Sequence, residues 1–145
     1  MRGLIQRVQH ASVEIAGNTT GKIDNGLLLL LGIEKTDDPA KANKLLQKVL
    51  KYRIFNDSDG KMNLGLNDTG GGLLIVSQFT LVADTQKGLR PGFSAGASSE
   101  AGEALYNYFV AQARQCHSVV ATGQFGANMR VSLLNDGPVT FMLSV

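Results

Sequence analysis

The sequence predicts one α+β domain over residues 1–145, in which a strongly curved, barrel-like and largely antiparallel sheet packs with two main helices. Strand candidates outnumber helix candidates, and turn signals of the hairpin type adjoin the first and last strands. The composition agrees with a folded domain. It holds 43% hydrophobic residues at a net charge of +2, and 145 residues can bury a core without disulfides or metal.

Three strands are predicted in the N-terminal part of the chain. Apolar and polar side chains alternate toward the end of residues 4–15, which is typical of a strand with one buried face. Gly17-Asn18 is a turn signal, and residues 19–23 can return as the second strand. Residues 26–33 form a continuous apolar run, as expected of a strand buried on both faces.

Two helices are predicted from capping residues and apolar spacing. The first begins at Asp37-Asp38-Pro39, because either aspartate can cap and proline suits a first turn. Its core-facing stripe is Ala42, Leu45, Leu46, Val49 and Leu50. The second helix is capped by Ser98 or Ser99. Its expected buried stripe is Ala101, Ala104, Leu105, Tyr108 and Gln112 or Ala111.

The remaining segments are predicted from apolar runs and turn residues. They are a short strand at residues 54–55, a flexible break at 67–72, an apolar strand at 73–83, a long loop at 84–97, and strands at 119–122, 129–134 and 139–145. Long ordered loops in compact domains are often functional, which draws attention to residues 84–97.

Several function classes are excluded by residue content. The single Cys116 rules out a disulfide framework, and no metal-ligand spacing is present, so we expect neither metal nor other cofactor. His117 and His10 are interpreted as structural or surface residues. No apolar run approaches a membrane span, and the N-terminus lacks a hydrophobic signal core, so a cytoplasmic protein is expected. The pI near 8.8 permits a polyanionic partner without demanding one.

One segment interrupts an apolar strand with polar side chains: Ser77-Gln78-Phe79-Thr80-Leu81. On a regular strand Ser77 and Thr80 face opposite sides, so both can serve one pocket only if the strand bends or ends near Gln78. Such a bend also frees backbone N–H groups to bind an oxyanion. From spacing alone, ordinary polar residues of a strand remain the simpler interpretation.

A second segment lies near the C-terminus: Asn135-Asp136-Gly137-Pro138-Val139-Thr140. Its simplest interpretation is a hairpin turn between two strands. The Gly137-Pro138 bond could also be cis, which would fix two successive carbonyl groups in direction.

A lysine stripe is the third feature, formed by Lys41, Lys44, Lys48 and Lys51. Steps of three and four residues place these ammonium groups along one face of the first helix, opposite its apolar stripe. The stripe could follow the phosphate backbone of tRNA, or it could be a solvated helix face.

Both motifs together, in this order, closely resemble the D-aminoacyl-tRNA deacylase family. The opening residues 1–8 (Met-Arg-Gly-Leu-Ile-Gln-Arg-Val) and the loop residues 90–94 (Arg-Pro-Gly-Phe-Ser) match as well. The resemblance covers the whole chain without large insertions. It implies a cytoplasmic homodimer that binds the 3′ end of aminoacyl-tRNA at two equivalent sites on the subunit interface. It further implies hydrolysis of D-aminoacyl and glycyl esters of tRNA, and rejection of L-aminoacyl esters.

The resemblance also implies roles for particular residues. Ser77, Gln78, Phe79 and Thr80 would form the catalytic pocket, with Met129 and Phe125 as weaker expectations for its walls. Gly137-Pro138 would be a Gly-cisPro element that enters the site from the opposite subunit, braced by Arg7. A rigid backbone obstacle of this kind rejects the L hand by a clash and admits the D hand and glycine.

Two catalytic routes are compatible with the sequence. In one, Thr80 or Ser77 attacks the ester, but a hydroxyl nucleophile needs a base and the sequence offers no evident one. In the other, the protein positions the ester and a water, and the 2′-hydroxyl of the terminal adenosine assists. The rival classes are a small esterase that depends on Thr80 and a non-catalytic dimeric RNA-binding module.

Overall fold

The computed structural model describes residues 1–86 and 88–145. Its main sheet has six strands: β1 (Arg2–Ile15), β2 (Asn18–Ile23), β3 (Gly26–Gly32), β6 (Gly72–Ser77), β7 (Val120–Thr122) and β8 (Arg130–Ser144). The smaller elements are α1 (Pro39–Lys51), β4 (Phe55–Asn56), β5 (Met62–Leu64), α2 (Leu66–Thr69), a 3₁₀ turn (Phe79–Val82) and α3 (Ser99–Cys116).

The sheet is curved and nearly closed, as predicted, and it is mixed, with antiparallel pairings around β1 and parallel pairings beyond β3. β1 runs antiparallel to β2, β3 and β8, whereas β3 is parallel to β6 and β6 is parallel to β7. On one edge of β1, residues 2–8 pair with β3 and residues 11–15 pair with β2. The other edge pairs with β8 over almost its whole length, so β1 organises the sheet.

β3 is buried on both faces, as its continuous apolar run predicts. Leu27, Leu29 and Leu31 belong to the core shared with α1 and α3, while Leu28 packs in the cluster on the opposite side of the sheet. The first helix also matches its prediction. Asp38 caps α1 by accepting from the Lys41 amide at 2.8 Å, and all five residues of the predicted stripe are buried.

The predicted buried face of the second helix was wrong, although Ser98 caps α3 as proposed. The buried residues are Gly102, Leu105, Tyr106, Phe109, Val110 and Ala113. Of the predicted stripe only Leu105 is buried, and the true face is turned by about one residue, roughly 100°. Larger aromatic side chains decide the orientation, since Phe109 is fully buried and the buried Tyr106 hydroxyl donates to the Ile75 carbonyl at 2.9 Å.

Three other boundaries differ from the sequence prediction. The expected break at residues 67–72 holds most of a short helix, α2. The three-residue strand β5 comes before α2, with Gly65 between them. The apolar strand expected at 73–83 ends at Ser77, and the chain continues as the 3₁₀ turn. The two C-terminal strands are one strand, β8, because both halves pair with β1. Lys87, within the predicted loop at 84–97, lies outside the described residues.

No helix in the described parts of the chain is long and apolar enough to cross a membrane.

Glycines permit close contact between the starts of β3 and β6. Gly26 and Gly72 are register partners in this parallel pair. A Cβ atom at Gly26 would overlap the backbone carbonyl of Gly72 and come within 2.6 Å of its amide nitrogen. Neither atom belongs to a flexible side chain, so any larger residue at position 26 must push the two strands apart.

We therefore predict that Gly26→Ala lowers the free energy of unfolding by more than about 3 kcal/mol, as backbone overlap in a core does. Urea denaturation measures this change in the free energy of unfolding. Gly92→Ala is the control, because a Cβ there meets nothing closer than 3.6 Å. Equal stability of the two variants would contradict the account of this strand pair.

Candidate active site

A pocket of about 500 Å³ opens where β3 and β6 end and α3 begins. Ser77, Gln78 and Phe79 contribute one side, and Phe125 and Met129 contribute another. Sequence reasoning missed a third side, at the start of α3, formed by Ser98, Ser99 and Gly102. The sequence predicted only that one of the two serines caps the helix. Ser98 does cap α3, and it also lines the pocket.

The segment 77–81 ends β6 in the way that a shared pocket requires. The Gln78 amide makes a last sheet-like bond to the Leu31 carbonyl at 2.8 Å, and the chain then turns into the 3₁₀ helix. The Gln78 Nε2 donates to the Thr80 hydroxyl oxygen at 2.5 Å. Thr80 is exposed and lies outside the pocket lining, so its hydroxyl is tied to the site only through its contact with Gln78.

Two backbone amides at this turn have no acceptor among the described residues. The first bond of the 3₁₀ turn runs from the Leu81 amide to the Gln78 carbonyl, which leaves the amides of Phe79 and Thr80 without a bond. A helical turn always leaves its first N–H groups free in this way. They form a pair of neighbouring donors next to the pocket.

Aromatic side chains frame the pocket. Phe79 is 66% exposed and contacts Phe93 of the 84–97 loop, with ring centroids 5.1 Å apart. Phe125 packs on Tyr106 at 5.8 Å, and a Cβ built on Gly102 would lie 3.2 Å from the Phe125 ring. Burial raises the pKa of Tyr106 to about 12, so its hydroxyl stays protonated as the donor that ties α3 to β6.

No lining residue in the described chain is an Asp, Glu, His, Lys, Arg, Cys or Tyr. Glu34 follows the lining residue Ile33, but the Met1 ammonium donates to it at 2.9 Å and holds the pKa of that carboxyl below its usual value.

The two histidines do not line the pocket either. His10 is exposed on β1, and the buried His117 donates from Nε2 to the Gly71 carbonyl at 2.6 Å. Residues 1–86 and 88–145 contain no group of three side chains suited to a metal ion.

Residues 136–139 form a bulge in β8. Gln6 of β1 pairs with Thr140 and Val8 pairs with Asn135, so four residues of β8 stand opposite Arg7 alone. The segment thus bulges within one strand, and the hairpin interpretation was wrong. The Gly137–Pro138 bond in this 136–139 bulge is cis, and both residues are exposed.

Arg7 anchors the 136–139 bulge. Its Nε donates to the Asp136 carbonyl at 3.1 Å and pairs with the Asp136 carboxylate at 3.2 Å. Its Nη1 donates to the Ile54 carbonyl at 2.7 Å. The guanidinium therefore ties β1, the 136–139 bulge and the segment before β4 together, and its side chain is only 12% exposed.

The structure thus forms two separate groups from the predicted site residues. Ser77, Gln78, Phe79, Phe125 and Met129 line one pocket, with Thr80 beside them. Arg7, Gly137 and Pro138 lie together in the second group, which does not line the pocket of the same chain.

The lysine stripe lies on α1, and none of its four members lines the pocket. Lys44, Lys48 and Lys51 are exposed and Lys41 is partly so. The Lys41 Nζ donates to the Thr36 carbonyl at 2.9 Å and lies 3.3 Å from Asp37, while the Lys48 Nζ donates to the Ser144 carbonyl at 3.2 Å. Part of the stripe is therefore already engaged within the chain.

Comparison with known proteins gives concordant matches over the full length. A family model described as D-Tyr-tRNA(Tyr) deacylase matches residues 4–144. The chain is 62% identical over 143 residues to a D-aminoacyl-tRNA deacylase of Stutzerimonas stutzeri, covering 99% of both chains. It is 61% identical over 145 residues to a protein of the same name from Pseudoalteromonas atlantica, covering 100% of both.

Two solved structures are similar as well. One is described as c-Myc DNA Unwinding Element Binding Protein, with a TM-score of 0.96 and 36% identity over 100% of this chain and 99% of that one. The other is described as a probable eukaryotic D-amino acid tRNA deacylase, with a TM-score of 0.89 over 99% and 98% of the two chains. At 16% identity the second likeness concerns the fold alone.

We predict that Arg7→Ala lowers the free energy of unfolding by about 2–4 kcal/mol, because it removes a mostly buried charge and leaves two carbonyl groups without their donor. Arg130→Ala is the matched control. Its guanidinium is 87% exposed and 3.8 Å from Glu14, so about 0.5 kcal/mol or less is expected. Urea denaturation compares them, and equal effects would show that Arg7 does not anchor the 136–139 bulge.

Proposed function

Because the chain belongs to the D-Tyr-tRNA(Tyr) deacylase family, we propose that it hydrolyses the ester between a D-amino acid or glycine and the terminal adenosine of tRNA, and spares L-aminoacyl-tRNA. The observation that carries the proposal is a pocket with free backbone amides at its edge and no titratable side chain among its described lining residues. Such a site suits a substrate that brings its own catalytic group. Charged tRNA is made in the cytoplasm, and cytoplasmic action is part of the proposal.

The proposed catalysis uses backbone donors and RNA. The amides of Phe79 and Thr80 donate to the oxygen on which negative charge develops as water attacks the ester carbonyl. The 2′-hydroxyl of the terminal adenosine, adjacent to the ester, assists the attacking water. Proximity of this kind contributes roughly 7–11 kcal/mol to barrier reduction in favourable cases.

Thr80 has no nucleophilic role in this proposal. A hydroxyl nucleophile needs a nearby base, and the group bonded to the Thr80 oxygen is the Gln78 amide, which donates and cannot accept a proton. The same contact leaves Thr80 a supporting role, in which it holds the Gln78 side chain at the pocket edge.

Stereoselectivity is assigned to the 136–139 bulge of a second copy of the chain. D and L esters carry the same groups, so a clash with a fixed obstacle separates them better than added affinity does. The bulge is anchored by Arg7 and exposes Gly137 and Pro138, which do not line the pocket of their own chain. A homodimer that inserts each bulge into the other chain's pocket brings the two groups together. Glycine has no side chain to clash, so glycyl esters are accepted.

The enzyme is expected to hydrolyse D-tyrosyl-tRNA and leave L-tyrosyl-tRNA intact. Thr80→Ala should retain activity within about tenfold, because loss of a true nucleophile costs about 10⁶-fold in kcat. A substrate ending in 2′-deoxyadenosine should not be hydrolysed. Single-turnover deacylation with purified protein measures all three, with Thr85→Ala, an exposed threonine outside the pocket, as the control.

Robust turnover of the 2′-deoxy substrate together with an inactive Thr80→Ala variant would favour a conventional esterase, as would hydrolysis of simple amino-acid esters without RNA. Binding of tRNA without any hydrolysis of the D substrate would favour a non-catalytic RNA-binding module.

We also propose that the lysine stripe contacts tRNA phosphates. Lys44→Ala with Lys48→Ala should weaken tRNA binding and reduce the slope of log K against log salt by about one per lost phosphate contact. Lys22→Ala with Lys61→Ala removes two exposed lysines elsewhere and keeps the same net charge. Identical salt slopes for the two double variants would return the stripe to a solvated helix face.

A further inference from the structure

The 136–139 bulge has a second anchor besides Arg7. The Asn135 Oδ1 accepts from the Val139 amide at 3.0 Å, so this side chain spans the bulge from its first flanking residue to its last member. The Asn135 Nδ2 donates to the Thr140 hydroxyl oxygen at 2.9 Å. One amide side chain therefore closes the loop of backbone between residues 135 and 140.

The Thr140 hydroxyl extends this closure to β1. The Gln6 Nε2 also donates to the Thr140 oxygen, at 3.2 Å, and Gln6 is the register partner of Thr140. The hydroxyl oxygen offers two lone pairs, which both donors use. The resulting Gln6–Thr140–Asn135 chain fixes the point at which β8 rejoins β1.

The two anchors divide the bulge between them. Arg7 holds Asp136, before Gly137, whereas Asn135 and Thr140 hold the backbone after Pro138. Space around Gly137 is tight, since a Cβ there would lie 2.6 Å from the Val139 Cγ2 and 3.2 Å from the Arg7 Nη2. The backbone is therefore tied down on both sides of Gly137 and Pro138, to β1 through Arg7 and through Gln6.

We propose that Asn135 and Thr140 are positioning residues that set the preference of the enzyme for D- over L-aminoacyl esters. The proposal rests on the function proposed above, in which the 136–139 bulge excludes the L side chain. An obstacle discriminates only as far as it resists displacement, and sites lose function when supporting contacts let a group move by about 1 Å. Asn135 and Thr140 touch neither the pocket nor, in this account, the substrate.

Selectivity separates this role from ordinary stabilisation. Thr140 is exposed, so water can replace its lost bonds and the fold should lose little. The bulge would nevertheless gain freedom, and the L ester would be admitted more often while the D ester is processed as before.

The test measures kcat/KM for D- and L-tyrosyl-tRNA with Asn135→Ala and Thr140→Val. Each variant should lose about tenfold in the D-over-L ratio, as expected for one or two lost hydrogen bonds, through faster hydrolysis of the L substrate. Thr140→Ser and Asn135→Asp should restore most of the ratio, because they keep an oxygen that can take part in the network. The double variant should lose less than the product of the single losses, since both act through one contact.

Ser132→Ala is the control, a polar-to-apolar change on β8 outside the bulge. Hydrogen exchange at the Val139 amide reports whether the anchor has opened. Faster exchange in Thr140→Val or Asn135→Ala with an unchanged D-over-L ratio would overturn the proposal. If Asn135→Ala fails to fold, the exposed Thr140 decides the outcome alone. A wild-type enzyme that hydrolyses both hands equally would instead refute the proposed function.

Discussion

The pairing of β1 along both of its edges is the constraint on which the rest of the structure depends. β3 and β2 occupy one edge and β8 occupies the other, so the backbone of β1 has no free partner for extra residues. Four residues of β8 stand opposite Arg7 alone, so three exceed the register and this stretch must leave the sheet. The same strand that builds the sheet thereby fixes the place and direction of the 136–139 bulge.

The end of β6 determines the second feature of the proposed site, the pocket with its free backbone amides. Because the strand stops at Ser77 and turns through a 3₁₀ helix, it leaves two amides free beside a pocket whose described lining is mostly apolar and carries no charged side chain. Such surroundings strengthen the interaction of backbone donors with a developing negative charge. They also provide no base, which is why the proposed chemistry depends on a hydroxyl group of the RNA.

Local sequence signals were sufficient to predict an element where neighbouring residues alone determine its structure. The Asp38 cap, the stripe on α1 and the apolar run of β3 could all be predicted, since capping and burial depend on neighbouring residues. The buried face of α3 could not, because it depends on where Ile75 and Phe125 meet the helix. The bulge at 136–139 was interpreted as a hairpin because turn residues do not reveal that the flanking strands share one partner.

For the site residues too, sequence motifs predicted some positions, whereas others depend on contacts between distant parts of the chain. Motif positions located Ser77, Gln78 and Phe79, and the resemblance added Met129 and Phe125, all of which line the pocket. Asn135 and Thr140 belong to a quoted motif, yet their roles emerge only when the register with Gln6 is known. The contribution of a second chain was implied by resemblance alone, and it remains a proposal.

The most direct test of the two-chain site is the selectivity of a purified heterodimer. One chain carries Ala97→Phe, which fills the pocket, and the other carries Gly137→Ala, which disturbs the bulge. If the bulge acts across the interface, the open pocket faces an intact bulge, and the heterodimer should prefer D- over L-tyrosyl-tRNA as strongly as the wild type does. Selectivity no better than that of the Gly137→Ala homodimer would show that each pocket uses its own bulge and would contradict the account.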